Sequence, residues 1–395
     1  MRTYFTCDRR LSATALSLMA AALQAATYYV SPTGSDSAAG TSDTTPFRTI
    51  QRGVDAAAAG DTVLVAPGTY STGQKTTTPA SGYSRVVITK NITVRSTHGA
   101  AQTVIKGRAD PYGFPLLFGA NCVRCVYMSA GTLDGFTLLD GYANAGAPGS
   151  SMTDPVKNGG GVYAPDNNRT PQVNNCIITG CGAYRGAGAH WATLNNCTVV
   201  SNYVNSTSGT GVFSCHVRNS IVQFNGENND ENFPSDAQSV DRSLFISSCT
   251  DPAPGLNFYG DNRDGGNNLI EDPLFKAGTF LLTDSSPCIN AGDNTYTNGT
   301  LDAGGGARVQ GGTVDMGAYE RASLYNKLTV LNGTGSGSYT NGAVVPILAQ
   351  ATNAWLFFTG WTGAVATVAN TSRPNTTLTM PDMNITVGAT FRALS

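Results

Sequence analysis

The sequence predicts an all-β chain built as a right-handed parallel β-helix with a short capping helix, followed by a small C-terminal β domain. Three observations carry that expectation: a composition of small turn formers, a repeat of about one solenoid coil, and a change of pattern near residue 322. Of 395 residues, 46 are Gly, against 26 acidic and 24 basic. Few long charged side chains beside abundant Gly, Asn, Thr and Ser describe strands joined by tight turns.

The repeat is explicit when residues 133–245 are written in rows. Leu133-Asp134-Gly135-Phe136-Thr137-Leu138 aligns with Val173-Asn174-Asn175-Cys176-Ile177-Ile178. The pattern returns at Leu194–Val199, Val217–Val222 and Val240–Phe245, with steps of 21, 23 and 23 residues counted from Cys176. A glycine-rich row precedes each: Gly160-Gly161-Val162-Tyr163, then Gly186-Ala187-Gly188-Ala189-His190, then Gly209-Thr210-Gly211-Val212-Phe213. Two strands per coil, joined at fixed turns, is the grammar of a solenoid.

Asn175, Asn196 and Asn219 precede an inward small residue, where a sharp bend needs a residue tolerant of left-handed backbone. Stacked asparagines could also bond to one another along the axis. The expected inward set is Val162, Cys176, Ile178, Ala189, Cys197, Val199, Val212, Ser220 and Val222. The interval Phe136 to Cys176 is 40 residues, and its surplus, Tyr142 to Asn158, must leave the core as a loop. Upstream, Val54 to Ala59 reads as a short helix covering the open end of the first coil.

Residues 1–26 read as a secretory signal, with Arg2, Arg9 and Arg10 before an apolar run and small residues at a cleavage point. The run is too short to span a bilayer. Its removal leaves 21 basic and 25 acidic residues, a balance with no footprint for nucleic acid. Eight cysteines remain in a compartment that permits disulfides. Cys122-x-x-Cys125, without a second such pair, points to a local disulfide or packed thiols rather than zinc. Cys176 and Cys197 fall on neighbouring coils, and packing is preferred to pairing.

On these motifs the segment 28–322 resembles the parallel β-helix proteins of the pectate-lyase-like superfamily. Tyr28-x-Val30-Ser31-Pro32, Phe47-x-Thr49-Ile50 and Gly60-Asp61-Thr62-Val63 are similar to their N-terminal module. Asp272-Pro273-Leu274-Phe275, Ser286-Pro287-Cys288-Ile289-Asn290 and Asp315-Met316-Gly317-Ala318-Tyr319-Glu320 resemble a closing module of the choice-of-anchor type. Residues 323–395 are similar to the divergent internalin-type B repeat, with Trp361 as its clearest mark. The resulting division is 1–26 signal, 27–322 β-helix with closing module, and 323–395 repeat domain. The resemblance implies an exported or surface-held monomer whose partner is a polysaccharide or cell-surface glycan.

In the row alignment Tyr163, His190 and Phe213 share one column, beside the aliphatic column of Val162, Ala189 and Val212. Strand alternation sends one column inward and the other outward, so the aromatic ladder is expected to be exposed for stacking on sugar rings. Lys157, Arg185 and His190 are the residue types of a polysaccharide lyase: a base for the proton at sugar C5 and cations for the carboxylate. Tyr163, Phe213 and Trp191 are the candidate substrate-binding residues. A hydrolase would need facing carboxylates; the densest acidic run, Glu227 to Asp236, reads instead as a solvated loop or a weak Ca2+ site. The alternative reading is a non-catalytic surface protein, an adhesin or spacer, in which the β-helix is a rod.

Overall fold

A computed structural model describes residues 25–77, 82–112, 118–144, 154–226, 243–251, 264–310, 312–321, 326–340, 342–381 and 384–393. Most of the expected signal, the middle of the Tyr142 to Asn158 insertion and the acidic run 227–236 lie outside the described residues. Three parallel sheets form the body. Sheet 1 stacks Thr27–Val30, Thr62–Val65, Thr93–Ser96, Thr132–Asp134, Gln172–Asn174, Thr193–Asn195, His216–Arg218 and Leu244–Ile246. Sheet 2 runs from Gly68–Tyr70 through Thr137–Leu139, Ile177–Thr179 and Thr198–Val200 to Cys249–Thr250. Sheet 3 stacks Tyr83–Ile88, Val123–Met128, Val162–Tyr163, Ala189–His190 and Val212–Phe213. Each strand pairs with the corresponding strand one coil away, so the body is a parallel β-helix with three strands per coil, not two. The extra strand arises because each Leu/Val-x-Asn row bends at its asparagine and so contributes to sheets 1 and 2.

The bend residues have the backbone their chemistry suggests: φ is 52° at Asn175, 51° at Asn196 and 48° at Asn219. Their side chains, however, do not stack on each other. Asn175 Nδ2 donates to Asp134 Oδ1 and Asn298 O, and Asn219 is bonded through both ends of its amide to Asp293. Asparagine stacking occurs in neighbouring columns instead. Asn195 Nδ2 donates to Asn174 Oδ1 at 2.9 Å, and Asn202 Nδ2 to Asn225 Oδ1 at 2.9 Å.

All nine expected inward residues are buried, and the aliphatic ones form a single continuous core. The eight described cysteines are all buried, and neither Cys122/Cys125 nor Cys176/Cys197 forms a disulfide. The second glycine of each Gly-x-Gly row explains itself by distance. A Cβ on Gly188 would lie 2.4 Å from Gly211 O and 2.6 Å from a Val199 methyl. Gly188→Ala is therefore expected to lower stability by about 1–3 kcal/mol through overpacking, read as a shift in the urea midpoint.

The capping helix α1 spans Ile50–Ala56, earlier than the apolar spacing suggested, because the Thr49 hydroxyl caps it by accepting from Arg52 N. Ile50, Gly53 and Val54 are buried, and Gly53 sits against Val30 and Val63 of the first two coils. The helix thus covers the otherwise open end of the core.

Residues 264–269 pair in parallel with the last coil, Asp264 with Phe245 and Leu269 with Cys249. The rest of the segment, to residue 321, lies along the corner between sheets 1 and 2 and across the outer side of sheet 2. Ala303 O accepts from Ala101 N, Asn298 O from Asn175, Asp315 O from Asn196, and the Thr198 hydroxyl from Ala318 N. Gly317 N donates to Asn219 O. Asparagine side chains that would otherwise stack are used to hold this strap along successive coils.

Residues 326–393 contain two further sheets. One orders Gly337–Tyr339, Asn326–Leu331, Ile385–Ala393 and Leu356–Gly363; the other orders Gly333–Thr334, Val344–Ala349 and Asn375–Thr379. Leu328, Ile347, Trp361, Leu378 and Val387 meet between them. Trp361 is a core residue whose Nε1 donates to Arg373 O, whereas Trp355 is 73% exposed.

Candidate functional site

The outward column of sheet 3 contains the three rings expected of it, with Tyr127 added one coil earlier. Tyr127, Tyr163, His190 and Phe213 are in register on successive coils, while Val126, Val162, Ala189 and Val212 point into the core. Ring centroids are 5.8 Å apart from Tyr127 to Tyr163, 5.4 Å from Tyr163 to His190 and 5.2 Å from His190 to Phe213, the last pair stacked at 7°.

The expectation of exposure fails. Tyr163, His190 and Phe213 are 3%, 3% and 4% exposed. The cause is the chain preceding each strand of sheet 3, which folds across the column before entering it. Gly159, Gly186 and Gly209 have φ of 64°, 57° and 64°, and a Cβ on each would meet the Cβ of Tyr163, His190 and Phe213 at 2.7, 3.1 and 2.9 Å. In two coils this covering segment forms paired strands, Gly182–Arg185 with Tyr203–Ser208. The first glycine of each Gly-x-Gly row is therefore a roof over an aromatic ring.

The roof carries the candidate cations. Lys157 Nζ lies 5.2 Å from the centroid of Tyr184 on the next coil, and Arg185 Cζ lies 5.3 Å from that of Phe213 on the next. One coil earlier, Arg124 Cζ is 4.9 Å from the Tyr163 centroid. Three cations thus climb one wall of the solenoid, each placed over a ring of the coil that follows. Arg185, His190, Tyr163 and Phe213 are brought together; Lys157 belongs to the neighbouring step of the same staircase. Trp191 joins the group through the turn, with φ of 60° and its ring 4.4 Å from His190. Tyr184, Arg185 and Trp191 are half-buried and form the outer surface of the cluster.

Arg124 was not singled out in the sequence. It is 1% exposed and fixed by donating to Asn158 O and Pro155 O, the described end of the 142–158 insertion. Its signal was available: an arginine inside Val123-Arg124-Cys125-Val126-Tyr127-Met128, a run whose other members are all buried. Burial lowers its pKa to about 10, leaving it cationic at neutral pH. His190 is displaced further, down to about 3, first by desolvation and then by the charges of Arg124 and Arg185. It is a neutral imidazole whose Nδ1 is buried without a hydrogen-bond partner. Among the described residues no group of three His, Cys, Asp or Glu is placed to hold a metal ion.

Stacked three-strand coils of this kind define a parallel β-helix protein. The chain belongs to the family described as Protein of unknown function (DUF1565), whose model matches residues 32–229. Residues 327–395 match the divergent InlB B-repeat domain. Among solved structures, a pectate lyase, Pel9A, is 15% identical with a TM-score of 0.38, over 75% of this chain and 96% of that one. A rhamnogalacturonan lyase is 15% identical with a TM-score of 0.26, over 57% of this chain and 51% of that one. No curated protein matches in sequence.

Proposed function

We propose that the protein is an exported or surface-held β-helix, monomeric, that binds acidic polysaccharide on the wall carrying Arg124, Lys157 and Arg185. The observation that carries this reading is the staircase of cations over aromatic rings at one-coil intervals. Successive coils rise by about 4.8 Å; Arg185 carries charge to the surface, while Arg124 and Lys157, 1% and 7% exposed, lie buried beneath it and add positive potential to the same wall. Half-buried Tyr184, Arg185 and Trp191 are the contact surface, with Tyr163, His190 and Phe213 as the packed layer beneath it. The repeat domain, residues 323–395, serves as an attachment or spacing module, and residues 1–26 as the export signal.

Binding without cleavage is the form favoured by the chemistry. Lys157, Arg185 and His190 offer the residue types of a lyase, but a covered imidazole held near pKa 3 is a weak proton acceptor. The burial of the ring column favours a second reading, a non-catalytic rod that spaces a glycan-bearing or host-facing module.

Polygalacturonate binding measured by calorimetry separates the two. Binding is expected, weakening as salt is raised, because exposed charges are screened. Arg185→Ala is expected to weaken it roughly five-fold, about 1 kcal/mol for one surface charge contact. Absence of binding by the parent protein would leave the rod. A steady rise in ultraviolet absorbance from unsaturated sugar ends would restore the lyase.

A further inference from the structure

We infer a second, separate sugar site at the capped end of the solenoid, a cleft that takes a single carboxylate-bearing sugar. The cleft of about 210 Å3 lies between helix α1 and the first turns, lined by Asp36, Arg48, Gln51, Thr72, Gln74 and Arg85 among others. The inference rests on the reading of the protein as one that handles acidic polysaccharide, but it uses none of the residues of the cation staircase.

The argument begins with Arg85. It is 6% exposed, and its guanidinium is fixed by donating to two main-chain carbonyls, Lys106 O from Nε at 2.8 Å and Gly73 O from Nη1. Carbonyls hold a guanidinium in place without neutralising it, so a full positive charge sits in the cleft wall. Desolvation and the nearby charge of Arg108 lower its pKa, which shows the cost an anionic ligand would relieve. Arg48, exposed, lines the same cleft and adds a second cation. The one acidic residue lining the cleft is Asp36, whose Oδ1 accepts from Arg48 N and Thr49 N and Oδ2 from the Thr49 hydroxyl; these neutral donors leave its charge in place, so the lining carries two cations against one anion. Nearby Lys75 and Asp55 are paired with each other. The local balance therefore favours an anion.

Size and the remaining donors narrow the ligand. The volume is below the roughly 300 Å3 at which drug-sized pockets begin, which suits one ring rather than an extended chain. Thr72 and Gln74 are exposed at the mouth and provide hydroxyl and amide groups for ring hydroxyls, while Gln51 is held by Val87 N, Val87 O and Asp55. A planar carboxylate against two guanidinium groups, with neutral polar groups around it, is the recognition expected for a uronate. The site would seat a free uronate or the end of an acidic chain.

The probes are D-galacturonate and D-galactose, which differ in the carboxylate, followed by ligand-observed NMR and calorimetry on the full chain. D-galacturonate is expected to bind and galactose to bind at least ten-fold more weakly. Arg48→Ala, at an exposed position that does not disturb the core, is expected to weaken D-galacturonate about ten-fold, while Arg392→Ala, at an exposed position of the C-terminal domain, leaves it unchanged. Equal affinity for the two sugars, no D-galacturonate binding, or indifference to Arg48→Ala would overturn the site. Polygalacturonate binding that persists in that event isolates the failure to this cleft; D-galacturonate binding without polymer binding would instead count against the staircase.

Discussion

Val199→Asp is expected to unfold the β-helix or to reduce its stability by about 4 kcal/mol or more, because it buries an unpaired carboxylate in a core with nothing to answer it. Val199 is fully buried, paired in register with Ile178 on one coil and Val222 on the other. A solenoid has no alternative place for such a charge, since the coils above and below repeat the same apolar column. Each coil is also the template for its neighbours, so a break at Val199 should propagate in both directions rather than stay local. The measurement is the urea midpoint, with Thr179→Asp on the outward side of the preceding sheet 2 strand as control. Equal midpoints for the two variants would show that the inward register is wrong.

That register was readable because strand alternation is local: Val162 and Tyr163, or Ala189 and His190, must face opposite sides whatever the rest of the chain does. The left-handed bends at Asn175, Asn196 and Asn219 were readable for the same reason. Exposure was not. Whether an outward ring meets water depends on what the preceding segment does, and the folding of Gly159, Gly186 and Gly209 over the rings is a tertiary fact expressed in the sequence only as one more glycine. The same blindness affected the asparagines, whose partners in the strap lie between 74 and 133 residues away. Arg124 was overlooked because its partners are main-chain carbonyls, which leave no complementary residue to notice. Lys157, Arg185 and His190 were legible as residue types, but only the coil-to-coil offset shows that each cation serves the ring of the following coil.

The strap offers the sharpest electrostatic test. Arg308 is 1% exposed and bonds Glu320 Oε2 at 2.6 Å, Ala318 O at 2.8 Å and, more loosely, Asn175 Oδ1 at 3.4 Å. Asp315 N in turn donates to Glu320, and the Asp315 carboxylate accepts from Asn290 N and Arg321 N. Two buried carboxylates thus share one buried guanidinium. Burial raises Glu320 to about 7, with the charge of Asp315 adding to it, and raises Asp315 to about 6, against the partial relief from Arg308. Raised acids make the folded state bind more protons than the unfolded chain, so their contribution to stability is complete below pH 4 and is lost as pH climbs through 6 and 7. His190 works in the opposite sense: its folded value near 3 adds stability that is present above 6.5 and lost as pH falls. The two slopes overlap, and the parent protein alone cannot separate them. Glu320→Gln can, because the difference between variant and parent cancels His190. The variant is expected to melt below the parent at pH 5, where a protonated Glu320 retains its place in the network, and the gap is expected to narrow by pH 8. Arg308→Ala should behave inversely, costing about 3–5 kcal/mol at pH 8, where it strands buried carboxylates, and less at pH 5, where a proton replaces the lost cation. Melting temperatures of the three proteins at the two pH values decide the matter, and a pH-independent difference in both variants would mean that Glu320 and Asp315 are not the protonated members of this cluster.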